Sequence, residues 1–106
     1  MHSVLARELL AREAVDELGH AAYLMDVIQD PGGEPTTTPK PFEKPETLKG
    51  MLELDVRMET EDVTHYMAHA RLAEELELPE LKMKLEEMAA DEAGHGRALR
   101  RLLRGL

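Results

Sequence analysis

The chain has 106 residues, a formal net charge of −9, 33% charged and 3% aromatic residues, and no cysteine. That length fits one domain with one modest core; the missing thiols exclude disulfides, zinc ribbons and thiol catalysis, and the acidic balance argues against nucleic acid, whose phosphates it repels. No apolar run reaches membrane-span length and no signal peptide opens the chain, so the expected compartment is the cytoplasm, with no membrane partner.

With Tyr23, Tyr66 and Phe42 as the only aromatics, the core must be filled by Leu, Met, Val and Ala, which suits packed helices better than a sheet. The first predicted helix covers 3–29, where Leu10, Ala14, Glu17, Ala21, Leu24 and Ile28 recur in steps of four and three. Asp30-Pro31-Gly32-Gly33 ends it. The proline-rich segment 30–45, with Thr36-Thr37-Thr38, reads as an extended crossover. At ~3.3 Å per residue it spans roughly 50 Å, enough to run the length of a bundle and set the flanking helices parallel. A second helix is expected over 46–77, with the stripe Leu52, Val56, Glu59, Val63, Tyr66, Ala70 and Ala73. A third is expected over 79–104, opened by Pro79 and striped by Leu81, Leu85, Met88, Glu92, His95, Leu99 and Leu102. The short break before Pro79 makes the last two helices an antiparallel hairpin.

Each stripe is apolar except for a glutamate: Glu17, Glu59 or Glu92. A charge on a core face costs several kcal/mol, of order 3–5, unless it is paired or binds a metal. Two of these glutamates sit in near-identical strings, Asp16-Glu17-Leu18-Gly19-His20 and Asp91-Glu92-Ala93-Gly94-His95. Residues three apart on a helix share a face, so each string aims a carboxylate and an imidazole at one point. Oxygen-rich ligation with two imidazoles suits iron or manganese better than zinc or calcium. In helix-bundle di-metal sites, two helices each give one Glu and the other two each give Glu-x-x-His. This chain has both Glu-x-x-His units and one single glutamate. Taken alone, Glu17 and His20 read as a surface pair; the two strings with Glu59 in register outweigh that reading.

Other polar groups have plainer explanations. Arg97, Arg100, Arg101 and Arg104 lie in the last turns of a helix, where cations offset the dipole. Glu61, His65 and His69 are four apart but nearly opposite Glu59, so they read as a solvated face. The methionines, Met51, Met58, Met67, Met83 and Met88 among them, read as gap-filling core or flank residues.

These features resemble the second to fourth helices of the ferritin-like superfamily, closest to bacterioferritin and related Dps-like ferritins. The resemblance covers essentially the whole chain, including a crossover opening Asp-Pro-Gly-Gly-Glu-Pro and the spacings between Glu17, Glu59 and Glu92. It implies an all-α fold: three long helices of a four-helix bundle. It implies that Glu17 and Glu92 bridge two metal ions, that His20 binds one, and that His95 and the terminal Glu59 bind the other. Asp16 and Asp91 match positions that hydrogen-bond the far nitrogen of the histidine on the opposite helix. Tyr66 would lie near the site, as core packing before a redox participant. No catalytic residue beyond the ligands is implied.

Two departures from the family pattern stand out. The resemblance implies that the first helix, which carries the fourth glutamate, is missing, since Met1 begins where the second helix should. The metal at His20 would then lack a terminal carboxylate and the bundle would have an open groove. A homo-oligomer, or a partner giving a fourth helix, is the expected remedy. Asp62 is a further ligand candidate, as in rubrerythrin-like proteins. The usual haem-ligating methionine is replaced by Leu18, so no haem is expected. The function implied is di-iron or di-manganese chemistry of the ferroxidase type, oxidising ferrous iron with dioxygen or peroxide. The alternatives are a peroxide-detoxifying di-metal enzyme and a non-catalytic helical module with a vestigial site.

Overall fold

The structure is a computed structural model; it describes residues 2–106, and their side chains from Val4 onward. Met1, where the expected helix register begins, lies outside the described residues, as does the His2 side chain. The order is α1 (His2–Gln29), α2 (Leu48–Glu75) and α3 (Pro79–Leu103), with no strand among the described residues. The all-α fold of three long helices is therefore observed. Segments predicted at 3–29, 46–77 and 79–104 match these elements to within two residues at each end. The backbone groups into two compact units, one of Ser3–Lys44 and one of Pro45–Leu106.

In the first unit, α1 ends in a Schellman motif: Gly33 N–H donates to Ile28 O at 2.9 Å and Gly32 N–H to Gln29 O at 2.8 Å. Gly32 takes the left-handed conformation this motif needs, with φ 96°. The buried face of α1 is Ala6, Glu13 and His20, with Leu10, Glu17, Tyr23 and Leu24 half-buried. The predicted stripe is therefore rotated: Ala14, Ala21 and Ile28 are exposed, and His20 moves from beside the stripe onto it. The physical cause is a second apolar line. Val4, Ala11, Val15, Leu18, Ala22 and Met25 follow helical steps on the opposite face, all exposed, so periodicity alone could not choose between the faces.

In the second unit, Thr47 caps α2, its hydroxyl accepting from Gly50 N–H at 3.0 Å. The stripe of α2 is as predicted, with Leu52, Glu59, Ala70 and Ala73 buried and Val56, Val63 and Tyr66 half-buried. It packs on α3, where Leu85, Met88, Ala89, Glu92, His95, Gly96 and Leu99 are buried. The connection is a second Schellman motif, with Leu78 N–H on Ala73 O at 2.9 Å and Glu77 N–H on Glu74 O at 3.1 Å. Here the left-handed position is held by Glu77, at φ 58°. Pro79 follows at the first turn of α3, where its missing N–H costs nothing. Met88 is wholly buried, whereas Met51, Met58 and Met83 are exposed, so those three are flank residues.

Candidate metal centre

Of the four largest fully buried side chains, Leu52, Met88, Leu99 and Glu92, one is a carboxylate. Glu92 occupies the α3 position that helical spacing directs at the hairpin interior, four residues after Met88 and three before His95. Glu59 comes from α2, on the line that Leu52 and Ala70 hold against α3, and is 4% exposed. These positions are set by apolar neighbours; the carboxylates are carried inward by the stripe.

The three groups converge. His95 Nδ1 lies 3.6 Å from Glu59 Oε2 and 4.0 Å from Glu92 Oε1. Ligand atoms of Glu59, Glu92 and His95 all lie within 4.8 Å of one another. Such separations exceed ordinary hydrogen bonds. They match what one cation needs, since donors each about 2.1 Å from an ion stand roughly 3–4 Å apart. Two carboxylates and an imidazole in a buried setting also have the hard-to-intermediate character that iron and manganese take. The residues present fit a metal.

On α1, Glu17 and His20 share a face as their spacing predicts, with His20 Nδ1 3.9 Å from Glu17 Oε2. His20 is buried and Glu17 half-buried. Asp16 and Asp91 are exposed, while Asp62 and Tyr66 are half-buried. Glu61, His65 and His69 are exposed, as a solvated face should be.

Two carboxylates were not singled out by the sequence argument. Glu13 is 4% exposed and lies one turn before Glu17 on the same face of α1. Asp55 is half-buried, one turn before Glu59, with a carboxylate oxygen within 4.8 Å of one of Glu59. The signal is in the sequence: Glu17 and Glu59 are each preceded four residues earlier by a second acid. On α1 the stripe drawn through Ala14 and Ala21 hid it.

Among the described residues, no helix is long and apolar enough to cross a membrane. No curated protein matches the chain. Among solved structures, a match is found with the crystal structure of ferritin like, diiron-carboxylate proteins from Bacillus anthracis str. Ames. The TM-score is 0.92 at 37% sequence identity, covering 97% of this chain and 74% of that one. A family model described as the ferritin-like domain matches residues 6–106. With nearly its full length matched by that model, its three helices in the order found and acids on its core faces, the chain belongs to the ferritin-like family.

Proposed function

We propose that this chain is a di-iron carboxylate protein that oxidises ferrous iron with dioxygen or peroxide, with manganese as the competing metal. The observation that carries the reading is the convergence of Glu59, Glu92 and His95 inside the α2–α3 hairpin. Two carboxylates and an imidazole brought together on core faces are a donor set that a cation would satisfy. The described diiron-carboxylate character of the Bacillus anthracis relative supports the same chemistry.

Glu92 and Glu17 are assigned as bridging carboxylates, Glu59 as a terminal ligand, and His95 and His20 as one imidazole for each metal. Asp16 and Asp91 are assigned to orienting the imidazoles, an arrangement common for ligating histidines. Tyr66 and Asp62 are assigned to the neighbourhood of Glu59. Glu13 and Asp55 join the list as extra carboxylates near Glu17 and Glu59 in sequence.

Bound at this centre, two ferrous ions would each give up one electron, so that dioxygen takes two electrons and two protons to become hydrogen peroxide. The chain itself supplies fixed negative charge, which favours the ferric product over the ferrous substrate.

Self-association goes with this reading. The exposed line Val4, Ala11, Val15, Leu18, Ala22 and Met25 on α1 gives a contiguous apolar face, of the kind that marks an interface. A second copy of the chain covering that face is the proposed arrangement, and the cytoplasm is the proposed compartment.

The test is ferrous oxidation followed by ultraviolet absorbance under air, for the wild type and Glu92→Ala. Oxidation faster than the protein-free control and lost in the variant supports the proposal. Equal rates for the two proteins contradict it.

A further inference from the structure

A pocket of about 270 Å³ opens between α2 and α3 beside the carboxylates, lined among others by Glu59, Thr60, Thr64, Glu92, Gly96 and Arg100. By volume it has room for several waters, at about 30 Å³ each. Its lining combines the two core carboxylates with a guanidinium. Among the described residues that line it, Arg100 alone is cationic.

Arg100 is exposed and lines the pocket. Its guanidinium lies back along the helix over Gly96, where a Cβ would stand 3.4 Å from one terminal nitrogen and 3.7 Å from the other. A side chain longer than a methyl would fill that seat, so glycine leaves the room the guanidinium uses. Gly96 is four residues past Glu92, about 6 Å along the axis at 1.5 Å per residue.

The pocket's hydroxyls do not compete as donors. Thr60 Oγ1 donates to Val56 O at 2.9 Å and Thr64 Oγ1 to Thr60 O at 3.2 Å, leaving their oxygens as acceptors toward the pocket. The N–H groups of Arg100 are the side-chain donors that remain for a ligand there, and a guanidinium meets a small anion with charge and paired hydrogen bonds together.

We infer that this pocket is an anion site in which Arg100 holds a small monoanion, of azide or formate size, beside the metal centre. The inference rests on the metal reading above. Glu59 and Glu92 repel an anion while they carry no cations, and the repulsion reverses when cations are bound. Anion binding is therefore conditional on metal, and by linkage the anion tightens metal binding by the same factor. Arg100 acts as a specificity residue, deciding which small molecules stay beside the centre.

The experiment uses the full chain loaded with Co²⁺ and titrated with azide, following the visible absorption of cobalt. Wild type should give a saturable spectral change. Arg100→Gln should weaken azide by about tenfold or more, as expected for loss of a charged hydrogen bond. Arg100→Lys should fall between the two. Arg101→Gln removes the same charge one residue away, from a side chain that does not line this pocket, and should bind azide as wild type does. Cobalt binding with no azide response, or with equal azide affinity in wild type and Arg100→Gln, overturns the anion site alone. Failure of the wild type to bind cobalt overturns the metal centre and the anion site with it.

Discussion

His95 and Glu59 are 36 positions apart in the chain and on different helices, yet His95 Nδ1 stands 3.6 Å from Glu59 Oε2 inside the hairpin. Neither helix needs this contact to form. Both side chains follow apolar stripes that bury them, so a cation held between them acts on the folded chain. With saturating Mn²⁺, wild type should gain stability and Glu92→Gln and Glu59→Gln little. Thermal unfolding of the three proteins, each with and without Mn²⁺, checks the difference.

Acid should release the metal. Carboxylates and imidazoles ligate only when deprotonated, so binding expels protons and weakens as pH falls. Calorimetric titration of Mn²⁺ in two buffers of different ionisation enthalpy measures the protons released. Net release that diminishes in His95→Gln is the expected outcome; zero release in the wild type counts against imidazole and carboxylate ligation.

The hairpin turn contains a local conflict that can be removed. Glu77 holds the left-handed position of its Schellman motif at φ 58°, where Gly32 holds the equivalent place after α1. Relieving the Cβ clash favours Glu77→Gly by about 1–2 kcal/mol, partly offset by the freer unfolded chain. A net gain of about 0.5–1 kcal/mol, or about 2–6 °C in Tm, is expected. A lower Tm by calorimetry would show that Glu77 contributes something else to the turn.

On α1, Leu18 is 71% exposed and Val15 68%, on the face opposite Glu13, Glu17 and His20. A charge placed there should cost the isolated helix little and an interface much. Leu18→Glu should keep the helical circular dichroism of the wild type while shifting its mass toward monomer in light scattering. A wild type that is monomeric at micromolar concentration rules out the proposed self-association.

How far the sequence carried the structure differs between helices, for a physical reason. On α2 and α3 one face is apolar and the other charged, so the stripe leading to Glu59, Glu92 and His95 could be drawn from spacing alone, and those residues are where it put them. On α1 both Leu10 and Leu24 on one side and Val15 and Leu18 on the other are apolar. Periodicity then gave a helix with correct ends and a face misplaced by a fraction of a turn. That displacement hid Glu13, whose burial equals that of Glu59. Asp55 escaped for another reason: an acid one turn from a buried glutamate usually belongs to the solvated flank, and only side-chain geometry separates the two cases. Arg100 reads from its position as a dipole-neutralising cation, and spacing gives no hint that its guanidinium lies over Gly96.

The most direct measurement is anomalous scattering from crystals of the full chain grown with Mn²⁺. A peak is expected about 2 Å from a carboxylate oxygen of Glu59 and of Glu92 and from a nitrogen of His95, with a second peak near Glu17 and His20. Crystals that carry Mn²⁺ elsewhere, with Glu59, Glu92 and His95 clear of any peak, would contradict it.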